Sequence, residues 1–495
     1  MNKKSSSFNF ALLVLFSFAC FCQCSHNESQ QKKSKLINRK PNIVLIVADD
    51  LGYTDLSVMG SSFYESPNID RLAKEGMIFN NGYASAANCA PSRACMLSGR
   101  QTPHHGVYTV SPSARGDEKT RQLIPIKNTP FLDTSVYTLP KMLQNAGYVT
   151  GSFGKWHVGM DPRQQGIDVN VGGSKHGNPG RNGYYSPYKI SFIEDGPEGE
   201  YLTDRLTSEA LSFIESNQEN PFFLYVPYYT VHTPIIGKPG LVEKFNNKES
   251  NKNHNHPEYA AMVASLDENV GRILDKIETL NLEENTLIIF TSDNGGLHSV
   301  SQQLPLRAGK GSYYEGGIKV PLIIKWKGQI APGSSCDKRV SNLDFYPTMQ
   351  SITQPPIINK DLDGTDILPL LKGKNNDHPP LVYHFPVYLQ SSGTIQGLSD
   401  PLFRTRPGRV IIDGDWKLHH YFEDDRKELY NLEKDVSETY NVIEKYPEVA
   451  EKLYAQLENW RVEKKAPIPT ERNLEYDPGE EKLLAKKKVA QAKMK

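Results

Sequence analysis

The sequence predicts an α/β fold in which helices sandwich a large, mainly parallel sheet, with a smaller α+β subdomain at its C-terminal end. Two observations favour this class. Continuous apolar runs rich in β-branched residues recur along the chain, as in strands that are buried on both faces. Helical patterns lie between these runs. Such alternation is typical of a parallel sheet, where ligands bind beyond the carboxyl ends of the strands.

Apolar runs are predicted to form the strands of the main sheet. The first run begins after Pro41 and ends where Asp49-Asp50 interrupts the apolar residues. The runs are Asn42–Ala48, Tyr148–Phe153, Phe222–Val226, Thr286–Thr291 and Leu322–Ile324.

Helix start signals lie between the predicted strands. Ser66 and Pro67 provide a cap and a first-turn proline for one helix. Thr138 and Pro140 do the same for a second helix, which Gly147 can end. Two longer helical patterns follow at Thr203–Ser216 and Pro257–Leu280.

The N-terminal segment has the pattern of an export signal. A charged start precedes an apolar run from Phe10 to Cys22, which is shorter than the roughly 20 residues that a membrane-spanning helix needs. We therefore expect residues 1–24 to be a signal peptide. Ser17–Cys20 loosely resembles a bacterial lipobox, so ordinary cleavage and a lipoprotein both stay open. The expected location is the periplasm or the cell surface of a bacterium, with membrane contact only through an N-terminal lipid anchor.

Composition divides the remaining chain into a linker, a large domain, a subdomain and a tail. Short strands are predicted in the subdomain at Arg409–Leu418 and Glu428–Leu432. The Lys-rich tail fits either a solvated helix or disordered chain. The four parts are linker 25–40, large domain 41–379, subdomain 380–478 and tail 479–495.

The charge balance excludes a global attraction to polyanions. The 495 residues include 57 Lys and Arg and 57 Asp and Glu, so the formal net charge is zero. No nucleic-acid partner is expected, and any anionic ligand must be held locally.

Cysteine usage points away from a disulfide framework. After removal of the signal, Cys89, Cys95 and Cys336 remain, an odd and sparse set. At least one of them must serve another purpose.

Two acidic pairs follow predicted strands. Asp49-Asp50 comes after the first strand, and Asp293-Asn294 comes after Thr286–Thr291. Both pairs should reach the same edge of a parallel sheet. Either pair alone would suit a turn or a helix cap. Together they offer the hard oxygen ligands that Ca²⁺ or Mg²⁺ prefers over Zn²⁺.

A short motif gives the sequence its strongest resemblance. Cys89, Pro91, Ser92 and Arg93 fit the Cys-x-Pro-Ser-Arg signature, and here the chain resembles the type I, formylglycine-dependent sulfatases of the alkaline phosphatase superfamily. The predicted fold is therefore alkaline phosphatase-like, and 41–379 would be its catalytic domain. Further segments resemble later motifs of this family, in its order: Gly154–His157, Val231–Pro234, Ser292–Gly295, Leu306–Pro321, Gly414–Leu418 and Leu429–Leu432.

The resemblance implies a nucleophile and a cation. Cys89 would be converted to formylglycine by a formylglycine-generating or anaerobic sulfatase-maturing enzyme. A hydroxyl of its hydrate would attack sulfur and give a covalent enzyme sulfate. One Ca²⁺, with Mg²⁺ less favoured, would be held by Asp49, Asp50, Asp293, Asn294 and the modified residue 89.

The resemblance also assigns roles to the cationic and imidazole side chains. Arg93 and Lys155 would stabilise the alkoxide, and Lys310 would bind sulfate oxygens. His157 would remove the proton whose loss expels sulfate, and His232 would protonate or hydrogen-bond the leaving oxygen.

Substrate choice is expected to come from a glycine-rich loop. Gln165–Pro179 resembles the loop of bacterial sulfatases that act on sulfated galactose or N-acetylgalactosamine in host or algal glycans. Lys175, His176 and Arg181 could contact such a sulfated carbohydrate, although an ordinary surface loop remains an equal interpretation. Two rival functions stay open: a phosphomonoesterase or phosphonate hydrolase of the same superfamily, and a lipoprotein that binds glycan without cleaving it.

Overall fold

A computed structural model of the protein describes residues 40–110, 112–180, 182–391, 397–398 and 400–493. The predicted signal peptide 1–24 and the linker up to residue 39 lie outside the described residues, and so does Arg181. Within the described ranges, no helix is long and apolar enough to cross a membrane.

The strands follow the apolar runs closely. Three predicted strands are longer by one or two residues at their carboxyl ends, and the second begins at Val149 instead of Tyr148. The strands are β1 Asn42–Ala48, β2 Met77–Phe79, β3 Gly82–Tyr83, β4 Val149–Phe153, β5 Val169–Val171, β6 Phe222–Pro227, β7 Thr286–Ser292, β8 Leu322–Trp326, β9 Ser334–Cys336, β10 Val340–Ser341, β11 Leu381–Phe385, β12 Leu389–Gln390, β13 Phe403–Thr405, β14 Gly408–Asp413, β15 Trp416–Tyr421 and β16 Lys427–Asn431.

The predicted helices all form, and several short helices join them. The helices are α1 Pro67–Glu75, α2 Cys89–Ser98, α3 Thr102–His105, α4 Leu139–Asn145, α5 Leu202–Ser216, α6 Pro239–Asn246, α7 Pro257–Thr279, α8 Glu315–Ile318, α9 Phe345–Thr353, α10 Leu368–Leu371, α11 Pro447–Glu463 and α12 Pro478–Lys493. Single 3₁₀ turns occur at Ser57–Met59, Glu118–Thr120, Pro162–Gln165, Glu283–Asn285 and Asn342–Asp344.

The start of α1 differs in detail from the prediction. Pro67 does open the helix, but the Ser66 side chain makes no capping bond. Its hydroxyl instead contacts the side chains of Ser57 and Asp70. The cap prediction is correct for α4, where the Thr138 hydroxyl accepts a hydrogen bond from the Lys141 N–H.

The main sheet has eight strands in the order β5-β4-β6-β1-β7-β8-β2-β9. The five strands from β5 to β7 are parallel, so their carboxyl ends share one edge. In contrast, β8 runs antiparallel to both β7 and β2. The sheet is thus mainly parallel, as predicted, with a mixed edge.

Helices cover both faces of this sheet. Ile43, Leu45 and Val47 of β1 belong to one apolar core with residues of α2, α4 and α9. The alternate side chains Val44 and Ile46 point to the opposite face, where α5 packs on β4 and β6 and also on α7. The sheet is therefore buried on both sides, which explains its unbroken apolar strands.

The C-terminal region contains a four-stranded antiparallel sheet, β11-β14-β15-β16, with α11 against it. The prediction of one strand over Arg409–Leu418 is wrong, because β14 and β15 form a hairpin within this segment. The turn includes Gly414, whose φ of 55° lies in the left-handed region that glycine adopts easily. The tail, for which two states were open, is the largely exposed helix α12.

Candidate active site

Two acidic pairs meet at the carboxyl edge of the parallel strands. Ala48 of β1 pairs with Ser292 of β7, so Asp49-Asp50 and Asp293-Asn294 leave the sheet side by side. The Asp50 N–H donates to Asp293 Oδ1 at 3.2 Å, and the Asn294 amide donates to Asp50 Oδ1 at 2.9 Å. All four side chains are buried. The prediction that the pairs reach one edge is correct.

Cys89 lies at the first position of α2, facing this acidic edge. Its Sγ is 3.9 Å from Asp50 Oδ1, and the residue is 1% exposed. Burial raises the pKa of the thiol to about 12, although Lys155 and Lys310 act in the opposite direction. An unmodified Cys89 would therefore stay protonated at neutral pH and be a poor nucleophile.

Three cationic side chains surround Cys89 and pair with the carboxylates. Arg93, one turn further along α2, contacts Asp293 Oδ2 through Nε at 2.8 Å. The Lys155 ammonium is 2.7 Å from Asp49 Oδ2, and the Lys310 ammonium is 2.6 Å from Asp50 Oδ2. Burial lowers the pKa of each cation, but the neighbouring carboxylates outweigh it and raise the pKa above its usual range. The site therefore keeps three fixed positive charges.

Backbone geometry places Lys155 at this edge. Gly154 has a φ of +131°, and a Cβ on it would lie 2.2 Å from the Pro227 carbonyl oxygen. The Lys155 N–H donates to that same carbonyl at 2.6 Å. A residue with a side chain before Lys155 would therefore push β4 away from the end of β6.

Two buried oxygens give the site its capacity for a cation. Asp49 Oδ1 and Asn294 Oδ1 have no hydrogen-bond partner among the described residues. Burial raises the pKa of Asp49 to about 7 despite Lys155. Ligand atoms of Asp49, Asp50, Cys89 and His232 all lie within 4.8 Å of one another. The oxygens of Asp49, Asp50 and Asn294 suit a hard divalent cation. The thiol and imidazole of the cluster are softer donors, and His232 had been predicted as a catalytic residue and not as a ligand.

The two imidazoles follow β4 and β6, two neighbouring strands on the same side of β1. His232 Nε2 is 3.7 Å from Asp50 Oδ2, and its Nδ1–H donates to the Thr233 carbonyl at 2.7 Å. Burial, reinforced by Lys310, lowers the His232 pKa to about 3. His157 Nδ1 is buried with no partner in the described part of the chain. Burial and then Lys155 lower the His157 pKa well below its usual range, so the ring is neutral.

The structure brings together all of the predicted catalytic residues and metal ligands, which are Asp49, Asp50, Cys89, Arg93, Lys155, His157, His232, Asp293, Asn294 and Lys310. The three residues predicted to contact the substrate do not all lie at this site. Lys175 lines a cleft together with His157, whereas His176 is exposed and bonds locally to Ser174. Arg181 lies outside the described residues, so its predicted contact stays a prediction.

One nearby cation was not predicted. Arg404, on β13 of the C-terminal region, donates from Nη1 to the Lys310 carbonyl at 3.4 Å. Burial lowers its pKa, and Asp50 is close enough to act against that effect. No local motif marks Arg404, because its proximity to Lys310 arises from the packing of the C-terminal region on the main domain.

Two family models match the chain. The family model described as sulfatase matches residues 41–354. A second model, described as the C-terminal part of N-sulphoglucosamine sulphohydrolase, matches residues 309–463.

Individual relatives and solved structures agree with the family match. A "Sulfatase" of Formosa agariphila is 34% identical, and the alignment covers 89% of this chain and 91% of that protein. N-acetylgalactosamine-6-sulfatase of Mus musculus is 33% identical over 69% of this chain and 68% of its own length. The crystal structure of Ps i-CgsB in complex with k-i-k-neocarrahexaose is 30% identical, with a TM-score of 0.71, and covers 91% of this chain and 98% of that one. The chain belongs to the sulfatase family and, with an alkaline phosphatase-like fold and this site, is a sulfuric ester hydrolase.

Proposed function

We propose that the protein removes sulfate esters from galactose-type or N-acetylgalactosamine-type sugars of host or algal glycans. The observation that carries the proposal is the convergence of Arg93, Lys155 and Lys310 around Cys89 at an edge of buried carboxylates. The named activity of the mouse relative and the neocarrahexaose bound to a structural neighbour support a sugar substrate.

We propose that one Ca²⁺, with Mg²⁺ as the less favoured ion, is held by Asp49, Asp50, Asp293, Asn294 and residue 89. The unpaired Asp49 Oδ1 and Asn294 Oδ1 support this assignment, because buried oxygens without partners are costly unless a ligand satisfies them. When bound, the cation would polarise the ester, and formylglycine at position 89 would supply the attacking hydroxyl.

The chain's own cations hold the ester and stabilise charge. The Lys310 side chain is 12% exposed, so its ammonium can reach a sulfate oxygen that enters from solvent. Arg93 and Lys155 are fully buried and close enough to Cys89 to interact with its charge, so they would stabilise an oxyanion that forms at residue 89. Their fixed hydrogen bonds mean that little reorganisation is needed when that charge appears.

The two imidazoles accept and donate the protons that the reaction moves. Neutral His157, with its unpaired Nδ1, can accept a proton at residue 89. His232 donates from Nδ1 to Thr233, so Nε2 is the atom available to the leaving oxygen. Because burial and Lys310 lower the His232 pKa to about 3, Nε2 gains the proton that it would donate only when the negative charge of a bound ester raises that pKa.

Export and maturation belong to the same proposal. The charged start and the apolar run Phe10–Cys22 support export to the periplasm, either as a cleaved protein or as a lipid-anchored one. The high thiol pKa of Cys89 supports a need for conversion to formylglycine before catalysis.

The test is sulfate release by the matured protein from defined sulfated mono- and disaccharides, in the presence of Ca²⁺ and after chelation. Intact mass of the Cys89 peptide establishes the extent of maturation. Matched aryl sulfate and aryl phosphate substrates provide the control for a phosphatase. A strong preference for the phosphate, or no release from any sulfated sugar by fully converted protein, would contradict the proposal.

A further inference from the structure

We propose that the cleft beside His157 binds the sugar ring next to the sulfated one, and that Lys127 and Lys175 recognise an anionic group on that ring. The group is a carboxylate or a second sulfate ester. This inference rests on the proposed function, because it defines the substrate class of the same site as an oligosaccharide with an additional negative charge.

The cleft borders the catalytic site at His157, which lines it. It has a volume of about 540 Å³, and both His157 and Lys175 lie in its wall. Binding sites for small ligands typically enclose about 300–1,000 Å³. A substrate whose sulfate lies near residue 89 and His157 can therefore extend its next sugar ring into this space.

The cleft combines an apolar surface with two cations. Val110, Pro112, Pro130 and Phe131 contribute the apolar part of the lining. The apolar face of a pyranose ring can pack on such a surface, whereas its charged substituents need a polar partner. The cations provide that partner at the rim.

Lys127 and Lys175 are available to an incoming anion. Both side chains are exposed, line the cleft, and form no ion pair with any residue that the structure describes. Many other lysines are paired, as Lys248 is with Glu65 at 2.8 Å. Two cations without carboxylate partners in one cleft create a local positive potential.

Backbone hydrogen bonds hold both lysines in place. On either side of Lys127, the Ile126 N–H donates to the Pro386 carbonyl at 3.1 Å, and the Asn128 N–H donates to the Ser113 hydroxyl at 2.7 Å. Lys175 follows Ser174, whose carbonyl accepts the His157 N–H at 2.9 Å. The position of Lys175 is thus tied to the catalytic imidazole, so recognition of the second anion can align the ester with the site.

The test compares the Lys127→Gln/Lys175→Gln protein with wild type, and uses Lys360→Gln/Lys374→Gln as a control with the same loss of charge at exposed sites. Substrates are N-acetylgalactosamine 6-sulfate alone and the same sugar joined to a neutral hexose, a hexuronic acid or a sulfated hexose. For the charged disaccharides, kcat/KM should fall about tenfold or more in the cleft variant. It should stay within about twofold for the other two substrates and for the control variant. The larger fall identifies the anion as carboxylate or sulfate.

An equal fall on all four substrates, or no fall on either charged one, would overturn the inference. Calorimetric binding of the desulfated hexuronic disaccharide separates it from the proposed function. If wild type binds this disaccharide, the double variant does not, and no sulfate ester is turned over, then the cleft assignment holds and the proposed function is wrong. If sulfate release is normal but the lysine substitutions do not change the preference for charged over neutral disaccharides, then the proposed function holds and the cleft assignment is wrong.

Discussion

At the scale of single residues, Cys89 is the precursor of the proposed nucleophile. Replacement by Ala removes the precursor of the nucleophile while the neighbouring cations and carboxylates remain. We expect Cys89→Ala to lower kcat for sulfate release by at least about 10³-fold, because groups that act together lose most of their effect when the nucleophile is lost. Sulfate release by protein of known maturation state measures this.

The matched control is Cys336→Ala. Cys336 is half-buried on β9, at the edge of the sheet away from the β1 and β7 ends. Its replacement should leave kcat within about twofold, as for substitutions without a structural role. Turnover by Cys89→Ala comparable to that of Cys336→Ala would contradict the assignment of the nucleophile.

Arg93, which is proposed to act in catalysis, also forms a buried ion pair that should stabilise the fold. Arg93→Ala leaves the Asp293 carboxylate buried without its 2.8 Å partner. We expect the free energy of unfolding to fall by about 3–5 kcal/mol, since removal of one member of a buried pair leaves an uncompensated charge. Urea unfolding in the presence of chelator measures the loss.

Added Ca²⁺ should reduce the Arg93→Ala defect, because a bound cation would balance the unpaired, buried charge of Asp293. The surface variant Arg163→Ala is the control, as Arg163 pairs with Asp161 in an exposed position. If Arg93→Ala were no less stable than Arg163→Ala, the buried pair would contribute nothing to the fold.

The residues of the site were predictable to the extent that they lie in continuous motifs at strand ends. Asp49 directly follows an apolar run, and Cys89 and Lys155 lie within short segments that resemble motifs of the family. Arg404 and Lys127 do not, because they reach the site through tertiary packing and the sequence contains no local pattern that reports it. His232 was predicted as catalytic, and its place beside the acidic cluster is visible only in three dimensions.

At the scale of elements, Asp363 connects the end of α2 to the C-terminal region. Its N–H donates to the Gly99 carbonyl just after α2, and its carboxylate accepts the Gln101 N–H at 2.8 Å. The Lys464 ammonium, just after α11, contacts the same carboxylate at 2.8 Å. Burial would raise the Asp363 pKa, but hydrogen bonds from His104 and Lys464 outweigh it and lower the pKa to about 2.

This shift predicts a pH-dependent contribution to stability. A folded-state pKa of about 2, below the ordinary 3.8, stabilises the fold above pH 3.8, and the contribution is lost as the pH falls towards 2. We expect Asp363→Asn to lower the free energy of unfolding by about 1–2 kcal/mol at pH 7, and the difference from wild type to shrink below pH 4. Urea unfolding between pH 7 and pH 3 measures both values. Asp361→Asn, at an exposed neighbouring position, should show no comparable loss, and a loss for Asp363→Asn that did not change with pH would contradict the ionic origin.

Element prediction succeeded where one periodicity dominates and failed at local turns. The buried strand β1 was predicted to the residue because its apolar run has clear ends at Pro41 and Asp49. The β14–β15 hairpin was merged into one strand because the two-residue turn at Gly414-Asp415 interrupts an otherwise strand-like pattern only briefly. The antiparallel direction of β8 was also not predictable, since direction depends on the long connection after β7 and not on the strand's own residues.

At the scale of the whole molecule, a buried ion cluster joins the C-terminal sheet to the loop that carries Lys310. The Lys417 ammonium on β15 lies 2.9 Å from both Glu315 Oε1 and Glu438 Oε1, and all three side chains are buried. Glu315 opens α8, directly after the Lys310 loop, and its N–H donates to Glu438 Oε2 at 2.6 Å. The C-terminal region therefore holds the segment that carries Lys310 through contacts outside the main sheet.

Lys417→Met tests this connection, because Met fills similar space but leaves two buried carboxylates without their cation. We expect the free energy of unfolding to fall by about 3–5 kcal/mol and sulfate release to fall under conditions where the protein is still folded. Lys427→Met is the control, since Lys427 pairs with the exposed Asp425, and it should change stability by no more than about 0.5 kcal/mol. Urea unfolding and kcat of the folded protein are the two measurements. A Lys417→Met protein with reduced stability but unchanged kcat would show that the cluster holds the C-terminal sheet without positioning Lys310. Unchanged stability would show that the buried cluster does not stabilise the fold.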